Sequence, residues 1–469
     1  IQPLPVGTEE RALLMLGGLN PHAGATEALA GVERMERFIW LANEHGVAAF
    51  VKKNIDEAGL VRLLLLSDYQ TLRNQSFRSV ARNSFIMTAT FDAVRLLNEA
   101  GFTPVLLKGT ALELTVYNNG GLRPMTDADI LLPAAECLPA WKLLQGSGFE
   151  ALPLKSPLHR LILMHTGKHL PSLIKGGFSI EIHHSLWGGK TGMEEELVQR
   201  SALRVQRSGD NNSISAEVVE KFSDGSAPAN SAATNDSIFV SPEGMNNHSD
   251  GSTPSKSAAT TDSIFLSPEG INNHSTGALP QDSSAESESG QAPGSVRFLI
   301  PPPGLHFLYL VAHLAKHELD SHSQLRLYND LSAMLLHYGP GKLIGEAMER
   351  APSIGMVEEL RNKLGLLHKY MGVDLPVEYR FEPSAEAESS FLFFLSSPKA
   401  NKPLNKEKMY RMTLSSIPGI HRKLIFLAGD IFPGFRFMKK RYGKASALSV
   451  LPYYFIRPGK LLWLLRKRD

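Results

Sequence analysis

A chain of 469 residues, 43% of them hydrophobic, can bury a sizeable core, and its length suggests about two or three domains. The formal net charge is only +2, so global charge does not force a nucleic-acid or membrane partner. One cysteine, Cys137, excludes an intrachain disulfide and a cysteine-built zinc site, and it suits a reducing, cytoplasmic setting. Ile1 to Pro5 carries neither a basic n-region nor a long apolar run, so no signal peptide is expected there. No stretch reaches the roughly 18 apolar residues that span a bilayer; the longest, Ala445 to Ile456, is short and holds Pro452.

Residues 1–100 read as an N-terminal helical region. Glu10 to Leu16 opens one helix, and Met35 to Phe50 places Phe38, Ile39, Leu41, Ala42 and Val47 at helical spacing. Tyr69 to Ala100 is a long amphipathic pattern closed by Gly101. The texture changes at Phe102, where residues 101–206 predict a small α/β core. Phe102 to Leu107 is a buried strand ending at the turn Lys108-Gly109-Thr110, and Ala111 to Tyr117 a helix behind it. Thr126 to Leu132 is a second strand, Ala134 to Gln145 a helix, and Gly177 to His184 a third strand.

Residues 207–296 are rich in Ser, Asn, Ala, Gly and Pro. Such a composition buries too little apolar surface to offset chain entropy, so a disordered insert is expected. It holds a repeat: Asp236 to Ser249 returns 26 residues later as Asp262 to Ser275. Arg297 to His306 is a weaker echo that leads into helix, and we read all three as copies of one segment that precedes a helix. Two clear copies that bury no face do not make a solenoid. Residues 297–383 predict a helical domain and 384–469 a basic helical region. From Arg436 onward there are ten Lys and Arg against one acid, Asp469.

Chemistry concentrates between residues 104 and 187. In Asp127-Ala128-Asp129 both carboxylates point to one face of a strand, about 7 Å apart. Such a pair is costly to bury unless a cation neutralises it, and hard oxygen ligands suit Mg²⁺ or Mn²⁺. Glu181, between Ile180 and Ile182, is a third acid projecting away from its apolar neighbours. Acids on neighbouring strands can hold two metals about 3.5–4 Å apart, which activates an attacking hydroxyl and stabilises a leaving pyrophosphate. Gly109 and Thr110 open a helix where backbone N–H groups can meet a phosphate, with Lys108 and Arg123 as cations beside it. His183, on the face of Glu181, is expected to orient a carboxylate or touch the nucleotide. His165/His169 and His313/His317 are pairs four apart, read as packing or as a helical lid over the nucleotide. Arg326 and Asp330 share a helix face, as for a salt bridge.

An apolar strand, Gly-Thr, a helix, Asp-x-Asp and a later acid on a strand resemble the DNA polymerase β-type nucleotidyltransferase superfamily. More closely, Leu107 to Leu112, Arg123-Pro124, Asp127 to Leu132 and Glu181 to His183 resemble bacterial nucleotidyltransferase family proteins found beside polysaccharide and peptide-modification genes. The resemblance implies an α+β fold: a small mixed β-sheet core flanked by N- and C-terminal helical regions, interrupted by the long insert. It implies metal on Asp127, Asp129 and Glu181, and nucleotide phosphates on Gly109 and Thr110. Two positions depart from the usual pattern: Thr110 replaces a second small residue, and the third acid is Glu rather than Asp.

The expected activity is Mg²⁺- or Mn²⁺-dependent transfer of a nucleoside monophosphate from an NTP, ATP first, to a hydroxyl on a small molecule, sugar, peptide or protein. Phosphoryl or glycosyl transfer on the same fold, or a non-catalytic nucleotide-binding scaffold, is the alternative. Nucleic acid is not an expected partner. The basic C-terminus, interleaved with aromatic residues, suggests peripheral contact with a membrane.

Overall fold

The computed structural model describes residues 6–118, 120–187, 203–207, 214–218, 296–319, 324–398, 406–443, 446 and 448–466. Its fold is α+β, with one five-stranded mixed sheet among many helices. Five helices come first: α1 (Thr8–Leu16), α2 (Ala25–Ala30), α3 (Met35–Glu44), α4 (Ala48–Glu57) and the long α5 (Leu66–Glu99). The sheet follows, with β1 (Val105–Leu107), α6 (Lys108–Leu112), β2 (Ala128–Leu131), α7 (Ala134–Gly146), β3 (Glu150–Ala151), β4 (Leu173–Lys175) and β5 (Phe178–His183). Its order is β1-β2-β5-β4-β3. β1 runs antiparallel to β2, and β2 runs parallel to β5. The strands are shorter than the apolar runs suggest. Residues 102–104 lie outside β1, where Pro104 has no N–H to give a ladder.

The insert expected at 207–296, with its repeat, lies outside the described residues except at its ends. At the first end β6 (Leu203–Arg207) and β7 (Ile214–Val218) form an antiparallel pair. The core boundary at 206 therefore cuts through a hairpin. The signal was local: Leu203 and Val205, then Ile214, Ala216 and Val218, alternate with polar or small residues. At the other end, residues 297–300 are more than a lead-in to a helix. The Leu106 N–H donates to the Leu299 carbonyl, and the Leu299 N–H to that of Pro104, so this segment lies along β1 and returns the chain to the sheet.

Nine α-helices complete the described chain: α8 (Pro303–Leu319), α9 (Leu325–Tyr338), α10 (Pro340–Arg350), α11 (Val357–Met371), α12 (Ala385–Ser396), α13 (Lys406–Ser416), α14 (Ile420–Ile431), α15 (Phe435–Tyr442) and α16 (Leu451–Arg466). None of the described helices is long and apolar enough to cross a membrane. The N-terminal helices and α8 to α12 share one core, in which Leu13, Phe38 and Phe50 join Phe307, Tyr328 and Leu364. The two helical regions read separately in the sequence are thus one layer. A second core lies between the sheet and the C-terminal half of α5, with Ile86, Val94, Leu106, Ile130, Ile180 and Phe298.

Buried histidines link this packing to pH. The Leu325 N–H donates to His45 Nδ1, and His45 Nε2 faces the Leu395 carbonyl at 3.0 Å, so the ring is the neutral Nε2–H tautomer. Burial pushes His45 down to about 4; burial, and then the charge of Arg123, pushes His306 down to about 3. The unfolded chain binds more protons than the fold between the ordinary histidine value and these lowered ones. Stability should therefore fall as pH drops from 7 to 5, by up to about 1.4 kcal/mol per pH unit for each ring. Urea melts across that range check this, and His45→Gln should flatten the slope. An unchanged slope in the variant would remove His45 from the account.

Candidate active site

Strand alternation sorts the sheet into two faces. Ala128, Ile130, Phe178, Ile180 and Ile182 face α5 and α7. Asp129, Leu131, Glu181 and His183 take the other face, together with Val105 and Leu107. There Val105, Leu107 and Leu131 pack with Leu305 and Tyr309, so α8 covers this side of the sheet. Register does the rest. Leu107 pairs with Asp129, and Asp129 with Glu181, so the two acids stand side by side on parallel strands. Ligand atoms of Asp129, Glu181 and His183 all lie within 4.8 Å of one another.

Asp129 is the most tightly held of these groups. Lys108 Nζ donates to its Oδ1 at 2.7 Å, and His183 Nε2 lies 2.8 Å from the same oxygen. Burial alone would raise the acid's pKa. The Lys108 ammonium and the His183 hydrogen bond outweigh burial and hold the carboxyl well below the usual range. Burial pushes His183 down to about 4, so it is a neutral ring. Its Nε2 carries the proton toward Asp129, while its buried Nδ1 has no hydrogen-bond partner among the described residues. Glu181 accepts from Ser172 Oγ at 2.7 Å and lies 3.5 Å from His169 Nε2.

Asp127 sits one residue before β2 and accepts from Thr126 Oγ1 at 2.9 Å. Burial and the neighbouring Asp129 charge raise its pKa, as two close carboxylates require. Helix α5 fixes this approach. Asn83 on α5 donates to the Arg123 carbonyl and accepts from the Met125 N–H, and Arg82 reaches the Thr126 carbonyl.

The Gly-Thr turn is built differently from the sequence expectation. Lys108 starts α6 with φ at +48°, a left-handed conformation costing a non-glycine residue roughly 1–2 kcal/mol. Its ion pair with Asp129 helps to hold it there. The Thr110 hydroxyl is buried and donates to the Leu107 carbonyl at 2.9 Å. Its one proton is engaged, so any donation from this turn falls to backbone N–H groups. Gly109 is required for another reason. A Cβ there would stand 2.4 Å from Arg123 Nη1. Arg123 lies buried beneath the turn, its Nε 2.8 Å from Asp330 on α9, and not among the acids. Asp330 pairs with Arg123, while Arg326 donates to the Pro124 carbonyl.

Two residues that the sequence did not single out complete the face. Tyr309 on α8 lies close enough to Lys108 to feel its charge, and Lys168 Nζ lies 5.7 Å from the Tyr309 ring centre. Burial lowers Lys168 to about 8, assisted by the nearby charges of Lys316 and Lys108. Lys168 makes no ion pair with a carboxylate among the described residues. His313 and His317, with ring centres 4.4 Å apart, continue along α8, where burial and the nearby Lys108 charge hold His313 well below the usual histidine range and so neutral. A cleft of about 340 Å³, lined by Gly18, His22, Ser332 and Met371, lies in the helical layer; none of the acids lines it.

The donor set fits a divalent cation. Two carboxylates supply hard oxygens, and His183 could turn its Nε2 lone pair to a metal by moving its proton to the unpartnered Nδ1. An imidazole in the set suits Mn²⁺ at least as well as Mg²⁺. No curated protein and no solved structure matches the chain. Residues 32–214, which contain β1 to β5 and the whole acidic cluster, match the family described as "Uncharacterised nucleotidyltransferase".

Proposed function

We propose that this chain moves a nucleoside monophosphate from an NTP, with ATP the first donor to test, to a hydroxyl on a small molecule, sugar, peptide or protein. The supporting observation is the row of Asp129, Glu181 and His183 on one sheet face, where the Lys108 ammonium already meets the buried acid. Asp127, Asp129 and Glu181 would hold Mg²⁺ or Mn²⁺, which supplies charge neutralisation at the phosphates and acidifies a hydroxyl. Glu181, the most exposed of the clustered groups, would take the proton from the acceptor as its oxygen bonds to the α-phosphorus and the bond to pyrophosphate breaks. The backbone N–H groups at Gly109 and Thr110 would meet phosphate at the start of α6. Lys168, half-buried and without a carboxylate, would meet the β- and γ-phosphates.

The test is nucleotide binding followed by product mass. ATP should raise the melting midpoint in a Mg²⁺-dependent way. Lys168→Met should weaken ATP about tenfold and AMP far less, because AMP lacks the phosphates that Lys168 would meet. Acceptors incubated with each NTP should gain the mass of a nucleoside monophosphate. A gain of one phosphate or one hexose would reassign the chemistry, and absence of metal-dependent nucleotide binding would remove it.

A further inference from the structure

The described C-terminal helices combine two features that rarely coexist on a solvent-facing surface. The first is unpaired positive charge. Arg436, Lys439, Lys440 and Arg441 on α15 are all exposed, and none has a carboxylate partner among the described residues. The one acid between residues 420 and 466, Asp430, is buried and pairs with Lys155, so it does not offset them. The second is exposed apolar side chain. Ile420 and Leu424 form one stripe on α14, and Leu448, Leu451 and Phe455 another leading along α16; Phe455 is 83% exposed and Leu448 78%. Phe435 on α15 meets Tyr454 on α16 at 5.8 Å between ring centres, and Tyr442 stacks on Tyr453 at 4.0 Å, so the cations and the apolar stripe belong to one helix pair.

This surface is fixed to the sheet domain. Asp430 on α14 binds Lys155 and lies 3.7 Å from His159, Ser156 Oγ donates to the Phe432 carbonyl, and the Gly434 N–H to that of Lys155. His159 stacks on Phe426, with ring centres 5.4 Å apart. The segment it grips, Pro157–His165, leads directly to Lys168 and His169 at the acidic face.

We propose that α14 to α16 dock this protein on an anionic lipid surface. The occupant follows from chemistry. Exposed Leu, Ile and Phe gain free energy only in an apolar phase, which a lipid headgroup boundary provides and a nucleic acid does not. A second copy would set the same unpaired cations against their own kind. Anionic headgroups satisfy both features, each cation near such a surface strengthening binding roughly fivefold.

Co-sedimentation of the full chain with phosphatidylcholine vesicles, with and without phosphatidylglycerol, tests this. Binding should require phosphatidylglycerol and weaken with salt. Replacing Lys439, Lys440 and Arg441 by Gln should weaken it on the order of a hundredfold. Replacing Leu448 and Phe455 by Ser should weaken it with the cations intact. Thermal melts confirm that both variants fold; were either to melt early, the salt and lipid dependence of the wild type still decides. Equal sedimentation with neutral vesicles, no sedimentation with anionic ones, displacement by a single-stranded oligonucleotide, or a Phe455-dependent dimer would each overturn the proposal.

Discussion

Asp129→Asn should lower metal-dependent turnover on the order of a thousandfold or more, with a parallel loss of Mn²⁺ affinity measured by electron paramagnetic resonance. The amide keeps the shape of the side chain but removes the charge that Lys108 and His183 both address. It should also destabilise the fold, for a reason separate from catalysis. Lys108 is 88% buried at its side chain and held in a left-handed backbone, and losing its counter-ion leaves an ammonium with a poor alternative. The double variant Lys108→Met with Asp129→Asn should then recover much of the stability and none of the turnover. Turnover within tenfold of wild type in Asp129→Asn would sink the assignment. A double variant no more stable than the single one would mean that the ion pair is not what the fold loses.

Much of this site was legible because strand alternation is a strong signal. Phe178, Ile180 and Ile182 alternate with Ser179, Glu181 and His183, so the faces of Glu181 and His183 follow from period two alone. Asp129 follows in the same way from Ala128 and Ile130. The parallel register that sets Asp129 beside Glu181 does not, because nothing local records which strand a segment will pair with. Tyr309 was hidden for a different reason. It lies in an apolar helix, where an aromatic residue over a site has the same spacing as one in a core. Lys168 carries no periodic signal at all; it sits between Gly167 and His169 in a turn before β4. The Gly109-Thr110 motif opens α6 and is engaged inward, with the Thr110 hydroxyl on the Leu107 carbonyl and the Gly109 backbone against Arg123. A short motif records which residues meet. It does not record which of them a distant helix will claim.

Arg123 shows that claim most clearly, and it carries the second large expectation. Asp330→Asn should cost about 3–5 kcal/mol, because it strands a guanidinium in the junction between the sheet domain and α9. The surroundings give Arg123 little alternative. Tyr117 donates to the same Asp330 oxygen, and burial pushes the neighbouring Glu113 up to about 7, so it offers only a partial charge near neutral pH. Arg326, itself lowered to about 10 by burial and by Arg123, adds repulsion once Asp330 is gone. Arg123→Met combined with Asp330→Leu should therefore be more stable than either single change, since apolar groups can fill the site without an unpaired charge. Arg123 also lies against Gly109, so its displacement reaches the turn before the acids. Turnover in Asp330→Asn should fall even well below its melting midpoint, with the apparent KM for nucleotide rising more than kcat falls. Denaturant melts and steady-state kinetics on the four variants separate the two effects. A double variant less stable than both singles would show that the pair contributes through its geometry rather than through the cost of breaking it. An unchanged KM would show that the turn holds its shape without the arginine beneath it.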